Sequence, residues 1–163
     1  MHTLFLGAGL LVAASFASAA NLSVAFVQPE TFTDAAYARS FPGERERAQV
    51  QGDIERHLQR LAARGLPADD ALKVDVLDID LAGHFEPWRI RNGADVRIVR
   101  DITSPRIKLR YTLTRNGQVI ASGEDDLRDM NFMMSGNRYA SDDRLRYEKA
   151  LLDDWFEKRI ARR

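Results

Sequence analysis

The chain reads as an α+β domain: two layers, with two helices on one face of a mostly antiparallel sheet of about four strands. Three observations carry that reading. Residues 106–113, RIKLRYTL, alternate strictly between apolar and polar side chains, and Asn116-Gly117 then leads into a second strand-like run. Val50, Ile54, Leu58 and Leu61 recur at helical spacing, and Leu145, Leu152, Trp155, Phe156 and Ile160 do so near the end of the chain.

The first twenty residues contain no Asp, Glu, Lys or Arg. Leu4 to Phe16 forms an apolar region, and Ala17-Ser18-Ala19 presents the small residues that a signal peptidase recognises. Residues 1–19 are therefore expected to be a signal peptide, cut after Ala19 or Ala20, with residues 20–163 forming one α+β domain. Small residues thin the apolar stretch from Ala13 onward and no basic cluster follows it, so removal is expected rather than a stable membrane anchor. The chain has no cysteine, which excludes a lipid-modified N-terminal cysteine and any disulfide framework. The expected location is the bacterial periplasm.

Residues 22–27 alternate and are rich in β-formers, and Pro29 ends them, predicting a first strand. A long connection follows, anchored by Phe32, Tyr37 and Phe41. The helix from Glu44 stops at Gly65, and Gly52 within it suggests close packing. His57 sits beside the apolar stripe and reads as a helix-surface or core-edge residue. Residues 71–83 form the second strand, and residues 95–99 allow at most one short strand. A simple hairpin closed at Asn116-Gly117 would put Leu113 opposite Ile120 and Leu109 opposite Glu124. An extra residue at Ser122-Gly123 would instead set Arg110 opposite Glu124, Lys108 opposite Asp126 and Ile107 opposite Leu127, so a bulge is predicted there. The last helix is expected to be capped by Ser141 or Asp142.

Twenty-four basic and twenty-four acidic residues cancel, which gives no net field to gather nucleic acid, and no nucleic-acid partner is expected. There is no Cys nucleophile, no G-x-S-x-G elbow, no S-x-x-K and no phosphate loop. The stretch VDVLDIDLAGHFEPW, residues 74–88, is the one place where chemistry could gather. Asp78 and Asp80 share a strand face, and with His84 and Glu86 they could hold a hard cation. Val74 and Val76 have the same parity as those two aspartates, so the strand must twist, bulge or leave its neighbour near Leu77. Charges near arginines on an exposed strand end are the simpler reading, and no catalytic residue, metal or cofactor is assigned.

VAFVQPETFTD, DIDLAG with EPW, SPRIKLRYTL, DDLRDM and YEKALLDDWF, in that order, resemble the bacterial domain-of-unknown-function family 3016. The likeness runs from about Val24 to Phe156 and implies an exported protein of Gram-negative bacteria, without implying any catalytic residue. The functional expectation is a non-enzymatic binding or protein-interaction domain of the cell envelope, with an unknown protein or small-molecule partner. Its candidate surface is Phe85, Trp88, Phe132, Met133 and Met134. The alternative is a metal-dependent hydrolase using Asp78, Asp80, His84 and Glu86.

Overall fold

The computed structural model describes residues 21–38, 43–86 and 96–162. The strands are β1 (Asn21–Phe26), β2 (Asp70–Asp80), β3 (His84–Phe85), β4 (Arg97–Ile98), β5 (Arg106–Arg115) and β6 (Gln118–Arg128). The helices are α1 (Gly43–Gly65) and α2 (Arg146–Phe156), and α2 runs on into a wider π turn, Glu157–Ala161. Four strands form one sheet in the order β1-β2-β5-β6, and β3 pairs with β4 apart from it. The sheet is antiparallel except for β1 and β2, which run parallel, so the architecture is α+β with one parallel pair. A parallel pair needs a long crossover, and α1 lies in that crossover.

The core lies between the sheet and the helices. Leu72, Val74, Val76 and Ile79 of β2 and Ile107, Leu109, Tyr111 and Leu113 of β5 meet Val50, Ile54, Leu58 and Leu61 of α1. Leu152, Trp155, Phe156 and Ile160 close it from the C-terminal side. Both helical stripes and the apolar face of β5 are thus buried as the periodicity requires. Trp155 Nε1 donates to Asp125 at 3.1 Å and Arg159 to the same carboxylate at 3.0 Å, which ties α2 to β6.

The parity change in β2 has a local cause. Val76 pairs with Leu109 and Asp78 with Lys108, so Leu77 is an extra residue. Before it the valines face the helices; after it Ile79 does, and Asp78 and Asp80 turn to the open face with Asp75.

In the hairpin, Asn116 (φ 49°) and Gly117 (φ 79°) both take positive φ, as a two-residue type I′ turn needs. Arg110 faces Glu124, Lys108 faces Asp126 and Ile107 faces Leu127 as expected. The bulge that produces this register lies nearer the turn than Ser122-Gly123. Thr114 pairs with Val119 and Leu113 with Ala121 rather than Ile120, so Ile120 is the extra residue. Gly123 serves packing instead: a Cβ there would lie 3.2 Å from the Tyr111 ring of its cross-strand partner.

The open face carries a ladder of charges. Arg106 holds Asp126 through two hydrogen bonds of 2.8 and 2.7 Å, and Lys108 and Arg110 both reach Glu124, at 2.8 and 3.0 Å. The Lys108 contact runs diagonally across the strands rather than straight across to Asp126. Such exposed pairs contribute roughly 0.2–1 kcal/mol each, whereas full burial of one leucine or isoleucine contributes about 2 kcal/mol. The helix-side core holds the sheet; the ladder fixes its register.

Three expectations about the helices change. α2 begins at Arg146 after Leu145, and neither Ser141 nor Asp142 caps it. Asp143 instead accepts the Leu145 N–H at 3.0 Å, keeping the preceding residues in a turn. Gly52 is not a point of close backbone packing, since an added Cβ would meet only the movable Arg56 guanidinium. His57 is 1% exposed, inside the core rather than at its edge. Phe41 and Asp95 lie outside the described residues.

Candidate functional site

The four residues of the hydrolase alternative do not assemble. Asp78 accepts the Thr33 N–H and hydroxyl, both at 2.8 Å, and so pins the segment after β1 to the sheet. Asp80 is half-buried, and burial, with Asp34 and Asp78 nearby, pushes its carboxyl above the usual range. His84 is exposed, and buried Glu86 forms an ion pair with Arg100. Among the described residues no group of three or more His, Cys, Asp or Glu side chains is placed to hold a metal ion.

What organises that end of β2 is Arg97. It grips Asp34 with two hydrogen bonds of 2.9 and 2.8 Å, donates to the Gly83 and Ala36 carbonyls at 2.7 and 2.9 Å, and lies 4.4 Å from the centre of the Phe85 ring. Gly83 must be glycine: its φ is 78°, and a Cβ would come within 2.5 Å of the Ile98 carbonyl oxygen. Of the two DIDLAG acids, Asp78 therefore fastens one chain segment to another, and Asp80 lies close to it and to Asp34.

The proposed interaction surface divides. Phe132 is buried rather than exposed, with its ring edge-on to Tyr147 at 4.7 Å, and Phe85 is half-buried beneath Arg97. Met133 and Met134 are 49% and 89% exposed. Trp88 lies outside the described residues. Phe132 faces inward because the turn beneath it is closed by Asp129, which accepts the Asn131 N–H at 2.8 Å and the Ser135 hydroxyl at 3.2 Å.

Phe132 forms part of the wall of a half-open cleft of about 710 Å³, between the end of α1, one side of α2 and residues 128–138. Leu61, Leu151 and Phe156 supply further apolar wall, Gly65 packs against the Phe156 ring, and Gly136 and Ala150 leave room. A cleft of this size is in the range that takes a small molecule or an anchoring side chain. Arg64, Arg128, Arg138 and Asp153 are among its polar lining.

Asp153 is the fixed point of the cleft. Its Oδ1 lies 2.9 Å from His57 Nε2, and its Oδ2 accepts the Tyr139 hydroxyl at 2.6 Å and pairs with Arg138 at 2.5 Å. Arg60 reaches His57 Nδ1 at 3.4 Å, which leaves Nε2 to donate to Asp153. Burial alone would raise the Asp153 carboxyl; hydrogen bonds from His57 and Tyr139, with the positive charge beside it, outweigh that and hold it below the usual range. Tyr139 is pushed up, by burial first and then by its bond to Asp153. The buried imidazole has both nitrogens engaged, so the group joins α1 to α2 and to the cleft loop rather than presenting a base.

Behind α2 lies a second cavity of about 450 Å³, bordered by Tyr37, Ala82, Arg97 and Arg144 among others. Nearby, fully buried Glu148 accepts the Ala82 N–H at 2.7 Å through one oxygen, and its other oxygen has no hydrogen-bond partner among the described residues. Burial pushes its carboxyl up to about 7.

Residues 20–158 match the DUF3016 family, described as protein of unknown function. The chain belongs to DUF3016. No curated protein and no solved structure matches it. The DUF3016 span takes in all six strands, both helices and every wall residue of the cleft except Ala161. Among the described residues, no helix is long and apolar enough to cross a membrane.

Periodicity marks both His57, read from the sequence as a helix-surface or core-edge residue, and Glu148, which drew no notice there, as buried. His57 falls between Ile54 and Leu61, at spacings of three and four, and Glu148 falls likewise between Leu145 and Leu152. A polar residue inside a buried stripe is the signal, because it must find a partner there. Arg64, Arg128 and Asp153 had no comparable signal, since their convergence is set by the tertiary fold.

Proposed function

We propose that this DUF3016 protein is an exported, non-enzymatic binding or protein-interaction domain of the bacterial cell envelope, and that its site is the cleft beside α2. The observation that carries the reading is the cleft itself: apolar walls and polar side chains meet there beside a loop that exposes Met133 and Met134. Neither methionine lines the cleft itself; both stand on the loop that borders it, and methionine side chains adapt their shape to what they touch. Export is supported by the uncharged apolar leader with Ala17-Ser18-Ala19, and by a family match that starts at residue 20, just past it. The hydrolase alternative lacks support, because Asp78 is engaged by Thr33 and Glu86 by Arg100.

The test expresses the full chain in a Gram-negative host with Met134→p-benzoylphenylalanine. The expected product is a periplasmic chain starting at Ala20 or Asn21 that gains one defined mass on irradiation. Ala150→Phe, which fills the cleft from a half-buried position on α2, should abolish that adduct. An unprocessed cytoplasmic chain contradicts export, and an adduct unchanged by Ala150→Phe contradicts the cleft as the site.

A further inference from the structure

We infer that the Glu148–Ala82 contact is a proton-dependent latch beside the second cavity: docked while the Glu148 carboxyl holds its proton, and opening the first turn of α2 toward that cavity once the proton has left. Glu148 stands in that first turn and is 1% exposed. Its hydrogen bond across to the end of β2 is the one accepted from the Ala82 N–H at 2.7 Å, and Oε2 has no hydrogen-bond partner among the described residues. Ala82, Tyr37 and Arg97, which touch or face this carboxyl, all border the cavity of about 450 Å³, as do Arg146 and Tyr147 of α2 itself.

An ionised carboxylate in that position has no second donor to turn to. Arg97 is engaged by Asp34 and by the Gly83 and Ala36 carbonyls. The Tyr37 hydroxyl donates to Asp53 of α1 at 2.6 Å, and the Arg144 guanidinium lies 3.7 Å from the centre of the Tyr37 ring. His57 of α1 is held by Asp153, and Lys149 pairs with Asp143, which itself repels a charge on Glu148. Arg146 rests 5.1 Å from the centre of the Tyr147 ring. A protonated carboxyl tolerates such burial far better than an ion does. Burial accordingly pushes the group from its ordinary 4.5 up to about 7, against the pull of the Ala82 N–H and of Arg97.

The two sides of the latch are not equally firm. Arg97 fixes the sheet side, together with the Gly83 N–H on the Thr103 carbonyl at 3.0 Å. The α2 side begins without a side-chain cap, so its first turn is the part that yields. Opening returns Glu148 to its ordinary acidity. The open fraction therefore rises with pH between about 4.5 and about 7 and levels above that, where the docked form is ionised as well.

The test is amide hydrogen exchange of the mature chain, followed by NMR from about pH 5 to about pH 8 and corrected for the intrinsic exchange rate. Protection should fall at the Ala82 N–H and at the Lys149 N–H, which closes the first turn on the Leu145 carbonyl. The two should fall together, by up to about tenfold per pH unit as far as pH 7, and then level. Leu109, inside β5, should stay more protected than either at every pH. In Glu148→Gln, whose amide oxygen still accepts the Ala82 N–H and cannot ionise, the fall should vanish. A fall that persists in Glu148→Gln assigns the titration to a neighbour such as His57 and overturns the latch. Protection at Ala82 that is flat with pH in the wild type, or equal to that of Leu109 throughout, overturns it as well, the second because the opening would then be global.

Discussion

Asp153→Ala should destabilise the folded chain by about 3 kcal/mol at pH 7, read as a lower midpoint of urea unfolding. The magnitude follows from what is left behind: a buried imidazole, a tyrosine hydroxyl and an arginine, all arranged around one carboxylate. Asp153→Asn should fall between, since an amide oxygen still accepts a hydrogen bond but carries no charge for Arg138. The pH dependence follows from the lowered folded pKa. Such a group contributes stability that is complete above its unfolded value, about 3.9, and is lost as pH falls through the folded value. The gap between wild type and Asp153→Ala should therefore narrow below about pH 4. A gap that stays constant to pH 2 would assign the loss to packing alone.

Glu148→Gln has the opposite sign. With the folded carboxyl at about 7 and the usual value at 4.5, the folded chain keeps a proton that the unfolded chain releases. Stability from this site is thus greatest below the unfolded pKa and declines as pH rises through about 7. By pH 8 the penalty approaches about 3 kcal/mol. Glutamine keeps an oxygen for the Ala82 N–H and does not ionise. The variant should be more stable than wild type at pH 8 by up to about 3 kcal/mol, and the two should converge near pH 4. Parallel stability curves across that range would show that Glu148 does not titrate there.

Both groups show how much of the molecule was legible beforehand. Local periodicity is a short-range signal, and it located α1, the buried face of β5 and the Asn116-Gly117 turn. It also required an irregularity near Leu77, and a bulge is found there. Charge matching gave the far register of the hairpin but not the bulge position, because an extra residue anywhere between the turn and Glu124 produces the same pairs. Ile120 takes that place while Gly123 makes room for the Tyr111 ring. Strand order and the parallel β1–β2 pair depend on how α1 crosses over, and no short window contains that.

The site was less legible for the same reason. DIDLAG gathered acids within a few residues and so drew attention, yet its aspartates fasten Thr33 and flank Arg97. The cleft is assembled from segments far apart in sequence: Leu61 to Gly65, Arg128 to Arg138, and the outer side of α2. Of the expected interaction residues, Phe132 does reach it, by turning inward, while Met133 and Met134 face out.

The most direct test of the binding reading is a heteronuclear NMR titration of the isotope-labelled mature chain with anilinonaphthalene sulfonate. Saturable amide shifts are predicted at Gly65, Gly136, Ala150 and Asp154, with Asp78, Asp80 and His84 unmoved. Shifts centred on those three residues, or scattered without saturation over the open sheet face, would contradict the placement of the site beside α2.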